Sequence, residues 1–408
     1  MKKILLLPVF LIIVIFIFIR PNNPPQSPSG FPSAELEDKQ IVFPKNPKTA
    51  FDPSDQPPVV PGKIIVEGPY ERIHIVGENA FNGVFDPSIE YDNKEVGWMV
   101  YSSVNTPSPG DNWVVQAEIA KSEDNGKTWT KVRSINPVEY DTVKISGIDS
   151  KGHWNKETNA LLYDPEDPDT QKRWKLFSHR IFSPENKKGN NPFYSVISYL
   201  TAPSPGGPWS KERYLFGSSK SQVPDLAEIQ VDKLDNELSG VIVVTEPGPI
   251  AYNGVIYISM NVFSNTLKDV ILLSSKNHGE NWTYVDTTIS RHEAEKLGYD
   301  SFDHSGLVQI DNKIYLFAAP KREKGVQDGT FIFKFTNIEK GLLEKEDGKL
   351  KVYTHLKPGS LANPPIGESE YHEQNTGGGV IFPDIILKDA PKIFQIFNTG
   401  YKLDAPRS

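Results

Sequence analysis

The 408-residue chain contains no cysteine, which excludes disulfides, a thiol nucleophile and cysteine-ligated zinc. It has no excess of positive charge either: 44 basic residues against 52 acidic ones give a formal charge of −8, which argues against a nucleic-acid partner. Apolar residues make up 38% of the chain, enough for a large core but too few for a protein with many membrane spans. The 34 prolines and 30 glycines predict short strands and turns rather than long helices.

The N-terminus carries the one long apolar run. Ile4 to Ile19 is interrupted only by Pro8, follows Lys2 and Lys3, and ends before Arg20. Sixteen residues in a helix would span about 24 Å, which is short for a bilayer but sufficient with snorkelling and local thinning. No small-residue cleavage site follows. We therefore predict an uncleaved signal anchor over residues 1–20, with the rest of the chain outside the cytoplasm; a cleaved signal peptide would make the protein secreted.

The segment after the anchor is rich in proline. Residues 21–61 include Pro-Pro pairs and turn-forming dipeptides and show no sustained apolar period, so we predict an extended linker there. The remaining residues, 62–408, form the predicted globular domain. The membrane is expected to be contacted through the anchor alone.

Similar hairpins recur along this domain. Apolar strands at 97–102, 174–178, 255–260, 313–318 and 393–397 each follow another apolar segment, at 88–91, 159–163, 248–252, 306–310 and 379–383. The five hairpins begin near residues 86, 157, 246, 303 and 377, a spacing that fits four-stranded blades with variable loops. We predict an all-β, five-bladed β-propeller. Two packed sandwiches are the alternative that the hairpins fit less well.

A second repeated motif predicts tight turns. Ser122 to Trp129 fits the pattern S-x-D-x-G-x-x-W, Ser275 to Trp282 fits it with Asn in place of Asp, and Ser204 to Trp209 is a relaxed copy. The Asp or Asn side chain would bond backbone N–H groups, Gly would take a positive φ, and Trp would cover the hairpin. These residues are therefore predicted to be structural.

These turns resemble those of known families. The strict copy is similar to the Asp-box of sialidases, and the relaxed copy resembles the turns of five-bladed arabinanase, xylosidase and invertase-like glycosidases. The resemblance covers about residues 80 to 400. It implies a propeller, with a six-bladed sialidase-like propeller as the alternative, and a carbohydrate as substrate or ligand.

The resemblance also implies a pair of carboxylates. Asp86, in an Asp-Pro-Ser-Ile segment, matches the base or nucleophile of the five-bladed glycosidases, and Glu246, in a Glu-Pro segment of the third blade, matches their general acid. Those enzymes also use a second-blade Asp that tunes the acid, for which this chain offers Glu157. Glycoside cleavage needs two such groups, because one must protonate the leaving oxygen while the other activates water or attacks the anomeric carbon.

Four more residues are candidates for substrate binding. Asp303 and His304 open blade four in a segment that resembles the Gly-His segment of the same glycosidases. Arg180 ends a second-blade strand and could anchor a hydroxyl or carboxylate through its guanidinium. Trp154 could stack on a sugar face.

Two further functions remain open on the sequence. A true sialidase would use an early Arg-Ile-Pro segment, here Arg72-Ile-His, and a late nucleophilic Tyr, for which Tyr371 beside Glu370 and Glu373 is the candidate. A non-catalytic propeller that binds a glycan or a protein is the other alternative. No cofactor is predicted: the acidic run from Asp164 to Asp169 is compatible with a structural Ca²⁺, but its two prolines favour a solvated loop.

Overall fold

The computed structural model describes residues 64–67, 75–78, 84–94, 96–105, 114–124, 126, 128–145, 147–185, 191–264, 268–310, 312–322, 326–327, 330–358, 380–381 and 395–396. All of these residues fall within one structural unit, Ile41–Ser408. The predicted anchor at 1–20 and the predicted linker at 21–61 lie outside the described residues. Within the described ranges, no helix has the length and apolar character needed to cross a bilayer.

The strands are, in chain order, β1 (Ile64–Glu67), β2 (Ile75–Val76), β3 (Val84–Tyr91), β4 (Gly97–Val104), β5 (Val115–Ser122), β6 (Trp129–Asn136), β7 (Glu139–Ile145), β8 (Ile148–Tyr163), β9 (Trp174–Pro184), β10 (Ser195–Ala202), β11 (Arg213–Gly217), β12 (Ile229–Gln230), β13 (Val243–Tyr252), β14 (Val255–Phe263), β15 (Lys268–Ser275), β16 (Thr283–Ile289), β17 (Ser301–Ile310), β18 (Lys313–Arg322), β19 (Val326–Gln327), β20 (Thr330–Asn337), β21 (Leu342–Leu343), β22 (Lys345–Glu346), β23 (Lys349–Leu350), β24 (Thr354–Pro358), β25 (Val380–Ile381) and β26 (Gln395–Ile396). One short α-helix, α1 (Arg291–Lys296), and 3₁₀ turns at Pro192–Tyr194, Val231–Lys233, Asn236–Leu238 and Ile338–Lys340 complete the described elements.

Most strands belong to four sheets, which we call blades one to four. Their strand orders are β3-β4-β5-β6-β2, β7-β8-β9-β10-β11-β12, β13-β14-β15-β16 and β17-β18-β20-β24-β1, with β19 and β21 pairing at the sides of blade four. The inner strands of consecutive blades are neighbours, because β3 contacts β8, β8 contacts β13 and β13 contacts β17. This propeller-like ring of sheets confirms the all-β propeller prediction, and the two-sandwich alternative is wrong.

The number of blades remains a prediction. The first four hairpins lie in four separate sheets, whereas the fifth contributes only the two-residue strands β25 and β26 to the described residues. β25 contacts β3 of blade one.

The blades are held together by apolar side chains on both faces of each sheet. β9 is buried along its whole length, as expected for a strand sandwiched between neighbouring blades. Blades two and three share a core that contains Phe177, Ile258 and Trp282. Blades three and four share another, around Leu272 and Phe302. Strands buried in this way read as continuous apolar runs rather than alternating ones.

The predicted turns have matching hydrogen bonds in blades one and three. Asp124 Oδ1 accepts from the Thr128 N–H and Asn277 Oδ1 accepts from the Asn281 N–H, each at 2.9 Å. Trp282 is buried in the core between blades. The turns therefore have the structural geometry that the motif predicts, while their relation to the sialidase Asp-box stays a resemblance.

Candidate functional site

Each inner strand contains a β-bulge at the same register. The pairing of β3 with β4, β8 with β9, β13 with β14 and β17 with β18 shifts between Phe85 and Ser88, between Glu157 and Ala160, between Thr245 and Gly248, and between Asp303 and Gly306, respectively. Two residues on the inner strand therefore oppose one on its partner. The first bulge residues, one per blade, are Asp86, Thr158, Glu246 and His304.

These four residues share an unusual backbone conformation. Their φ angles are 47°, 44°, 56° and 48° for Asp86, Thr158, Glu246 and His304. Positive φ is uncommon outside glycine, and for the β-branched Thr158 it is a true outlier. Such strain persists only where the surrounding structure enforces it and is concentrated at functional sites. The bulges thus define one level of the propeller as the candidate site.

The bulge residues are joined across the blades. The His304 N–H donates to Glu246 Oε2 at 2.7 Å, and His304 Nε2 lies 3.5 Å from Glu246 Oε1. The backbone N–H of Thr158 donates to the Asp86 carboxylate. The bulges of blades one and two, and those of blades three and four, are therefore linked through backbone donors to a carboxylate.

At the bulge level, burial and neighbouring charges raise the pKa of three side chains and so favour their protonated forms. Burial raises the pKa of Asp86, an effect that the His304 charge and the Thr158 N–H partly offset. Burial also raises the pKa of Glu246, against the opposing charge of His304. Burial alone would lower the pKa of His304, but the carboxylates of Glu246, Asp86 and Asp303 outweigh it and raise that pKa. Two carboxyl groups and an imidazole thus titrate as a coupled set.

Asp303 and Lys321 form an ion pair beside this set. Lys321 Nζ lies 2.5 Å from Asp303 Oδ2, and both residues influence the pKa of Glu246. Asp303 is buried, and its charge acts on Glu246, so the two residues are neighbours. Its predicted contact with substrate stays a prediction. Lys321, at the end of β18, was not predicted from the sequence.

The second-blade carboxylate is displaced from its predicted position. Glu157 precedes the bulge and pairs with His179 on β9, whereas Thr158 occupies the place that Asp86 and Glu246 occupy in their blades. The matching residue of blade two is therefore a threonine. Asn159 follows Thr158 where proline follows Asp86 and Glu246, so the sequence did not mark Thr158 as the bulge residue, and the tuning role of Glu157 stays a prediction.

Two predicted substrate ligands are buried away from solvent. The Arg180 guanidinium lies 4.6 Å from the ring centres of Trp154 and Tyr214, and it forms ion pairs with Glu212 and Glu139. Trp154 is 0% exposed and donates from Nε1 to Asp141. The guanidinium and the indole are fully buried and engaged by protein groups, and the predicted roles of Arg180 and Trp154 in substrate binding stay predictions.

His179 is a site residue that sequence reasoning missed. It lies on β9 opposite Glu157, is 6% exposed, and burial together with the nearby His304 charge lowers its pKa to about 3. Its Nε2 is buried without a hydrogen-bond partner. Its position after an apolar strand segment gave no sign that it would face the bulge level.

The acidic run forms the predicted loop with most of its residues exposed, but two of its aspartates are turned inward. Asp164 and Asp167 are buried, and they hold Lys175, whose Nζ lies 2.6 Å from Asp167 Oδ2 and 3.4 Å from Asp164 Oδ2. His278 Nδ1, in a turn of blade three, lies 2.9 Å from Asp164 Oδ2. The spacing of Asp164, Asp167 and His278 suits a cation. The Lys175 ammonium already supplies that charge, so the cluster is an ionic link between blades two and three.

No protein-family model matches the chain, and no curated protein matches it. Solved structures do. The chain is similar to a family 117 glycoside hydrolase produced by the marine bacterium Zobellia galactanivorans, with 14% identity over 75% of this chain and 82% of that one, at a TM-score of 0.45. It is also similar to the catalytic domain of the Coprinopsis cinerea GH62 α-L-arabinofuranosidase, with 11% identity over 81% and 90%, at 0.44.

A Hadza microbial sialidase is similar at 12% identity and a TM-score of 0.42. This match covers 67% of this chain and 47% of the sialidase, so the chain spans less than half of that protein. These structural neighbours are glycoside hydrolases and sialidases, and every one of the three TM-scores is below 0.5. The similarity assigns the chain to no family.

Proposed function

We propose that the protein is a glycoside hydrolase in which Asp86 and Glu246 are the paired carboxylates. The observation that supports this most is their equivalence: both are first bulge residues of inner strands, both are strained at positive φ, and both interact with His304. Strongly perturbed carboxyl groups in equivalent positions of a propeller are what acid–base chemistry on a bound sugar requires.

In this proposal the two carboxyl groups have different tasks. The raised pKa of Glu246 suits a general acid that gives its proton to the glycosidic oxygen as the C–O bond breaks. Asp86, whose carboxylate is stabilised by the Thr158 N–H and by the His304 charge, takes a proton from the attacking water or attacks the anomeric carbon itself. In the first case the oxygen of that water forms the new C–O bond of the released sugar. In the second case the sugar is held as an ester of Asp86, which a water deprotonated by Glu246 then cleaves to release the sugar.

His304 would take over the tuning that the second-blade carboxylate has in the resembling glycosidases. Its imidazole faces one Glu246 oxygen while its backbone N–H bonds the other. The pair can therefore share the one proton that Glu246 gives to the leaving group, and water resupplies that proton afterwards. Thr158 cannot supply a charge, so blade two contributes a backbone donor instead.

Thr158 also supports a second candidate, a propeller that binds a glycan or a protein without cleaving it. A neutral residue stands where the resembling enzymes have their third carboxylate. For the sialidase alternative, the candidate residues Arg72, Glu370, Tyr371 and Glu373 lie outside the described residues. The buried ion pairs of Arg180 remove one arginine that a sialic carboxylate would need.

We also propose that residues 1–20 anchor the protein with its propeller outside the cytoplasm, on the evidence of the apolar run alone. Protease treatment of intact and lysed cells tests this. Degradation of the propeller domain in cells whose outer layers have been opened, with the inner membrane intact, is expected; protection until lysis contradicts the proposal.

The activity itself is tested with the full-length chain in detergent against chromogenic arabinosides, xylosides, fructosides, galactosides and sialosides. We expect turnover of at least one neutral glycoside and its loss in Asp86→Asn. Binding of a glycan without turnover would favour the binding-only propeller, and turnover of sialosides alone would favour the sialidase alternative.

A further inference from the structure

Polar contacts connect neighbouring blades at the bulge level. Between blades one and two, Asn159 Nδ2 donates to Ser102 Oγ at 3.2 Å. Between blades three and four, Asn261 Nδ2 donates to the Phe302 carbonyl at 2.5 Å. Ser102 and Asn261 hold the same position in their blades, since each pairs with the residue that precedes the bulge.

His179 holds this position in blade two, but its contact is missing. It pairs with Glu157, as Ser102 and Asn261 pair with the residues before their own bulges, yet its Nε2 is buried without a hydrogen-bond partner. In blade three the second bulge residue is Pro247, which has neither an N–H nor a polar side chain, whereas blade two has Asn159 there. Among the described residues, the polar connection at the bulge level is therefore interrupted between blades two and three, which the Asp164 and His278 contact joins elsewhere.

The interruption coincides with other unpartnered groups. Among the described residues, buried side-chain atoms without a hydrogen bond at this level include Thr158 Oγ1, His179 Nε2, Thr245 Oγ1 and Asn261 Oδ1. Native proteins leave few buried polar atoms unpaired, so each needs an explanation. Thr158 Oγ1 and His179 Nε2 both belong to the inner two strands of blade two.

Both residues lie beside groups of the proposed site. Thr158 donates its N–H to Asp86, and His179 is close enough to His304 to be affected by its charge. The lowered pKa of His179 keeps its imidazole neutral throughout the ordinary pH range. A neutral imidazole and a hydroxyl are suited to hydrogen bonds with uncharged hydroxyl groups.

We propose that His179 Nε2 and Thr158 Oγ1 are specificity-determining groups that hydrogen-bond hydroxyls of a neutral sugar held between blades two and three. The inference rests on the proposed function and names two recognition groups for it. Both atoms are shielded in the unliganded protein, so binding includes a rearrangement of the side chains around them. A site built to bond a hydroxyl discriminates strongly against ligands that lack it, because its buried groups then remain unpaired.

Thr158→Val and His179→Phe test this in the full-length chain, with Thr288→Val as the matched control. Thr288 is a buried threonine on the outermost strand of blade three, and its hydroxyl bonds the Val270 carbonyl at 3.0 Å. The readouts are KM and kcat for the neutral glycoside that the wild type cleaves, and the thermal midpoint of each unliganded protein.

We expect Thr158→Val and His179→Phe each to raise KM about tenfold, the effect of losing one hydrogen bond to a substrate hydroxyl. Thr158→Val should leave the thermal midpoint unchanged or raise it, because its hydroxyl has no partner to lose. Thr288→Val should lower the midpoint and leave KM unchanged.

Three results would overturn the inference. An unchanged KM in both blade-two variants of an active enzyme refutes the subsite alone. A lowered midpoint with unchanged KM in Thr158→Val shows that its hydroxyl has a structural partner such as an ordered water. A wild-type protein that cleaves no glycoside refutes the proposed function and the subsite with it, and this failure is recognised in the wild type before any variant is compared.

Discussion

Lys175 provides the sharpest prediction about stability. Its side chain is fully buried, and it neutralises two carboxylates that are themselves buried, Asp164 and Asp167. Lys175→Met would keep the apolar stem but leave both carboxylates without their cation. Removing one partner of a buried ion pair destabilises a protein by about 3–5 kcal/mol, because the remaining charge is stranded in a low-dielectric interior.

The control for this change lies three residues away. Lys172 is 46% exposed and pairs with Asp169 at 3.8 Å and Glu280 at 3.4 Å on the surface. Lys172→Met removes the same charge, but surface pairs contribute only about 0–1 kcal/mol. At roughly 2–4 °C per kcal/mol for a domain somewhat smaller than this one, we expect Lys175→Met to lower the thermal midpoint by on the order of 10 °C and Lys172→Met by at most ~4 °C.

The assay is thermal unfolding of the three full-length proteins under one detergent condition, followed by near-ultraviolet circular dichroism. A further variant, Asp164→Asn with Asp167→Asn in the Lys175→Met background, should recover part of the loss, because no uncompensated charge remains. Equal midpoints for Lys175→Met and Lys172→Met would refute the interpretation of the cluster as a buried ionic link.

Three further predictions concern the site and its surroundings. The pH profile of the activity should be bell-shaped. Activity falls at low pH, where the base Asp86, whose pKa is raised above 3.8, becomes protonated, and it falls at high pH, where His304, whose pKa is raised above 6.5, loses the shared proton. A flat profile from pH 4 to 9 contradicts this. Gly248→Ala should reduce kcat/KM at least tenfold, because the added Cβ would lie 2.4 Å from the Ser305 carbonyl oxygen and push the inner strands of blades three and four apart. Wild-type kinetics in this variant would be inconsistent with the proposed site. Arg180→Lys should lower the free energy of unfolding by about 1–3 kcal/mol, because stacking and ion pairing are lost, and should leave KM unchanged. A raised KM at unchanged stability would instead indicate that Arg180 binds the substrate.

The hairpins and the equivalent positions of Asp86 and Glu246 were predictable because they leave local signals. Buried strands appear as short apolar runs, and a proline follows both Asp86 and Glu246 where the inner strand bulges. Blade two lacks that proline, so its bulge residue, Thr158, could not be placed without the strand pairing. The tuning role proposed for Glu157 stays a prediction.

Burial of polar residues was harder to predict. Arg180 and Lys175 have charges that suggest exposure, and only the folded chain shows the partners that compensate them in the interior. Tryptophan, such as Trp154, occurs both in apolar cores and on binding surfaces, so its residue type alone does not decide between them. The role of His179 depends on a contact missing between two blades, which no local pattern can reveal.

The central claim, that Glu246 is the acid and Asp86 its partner, is tested most directly by leaving-group dependence. Glu246→Gln and Asp86→Asn are compared with the wild type on one sugar carried by a poor leaving group, an alkyl alcohol, and by a good one, 2,4-dinitrophenol. A good leaving group needs no proton, so Glu246→Gln should lose kcat/KM severely on the alkyl glycoside and far less on the dinitrophenyl glycoside. Asp86→Asn should lose it on both. Equal losses on the two substrates in Glu246→Gln, or full activity in Asp86→Asn, would contradict the account.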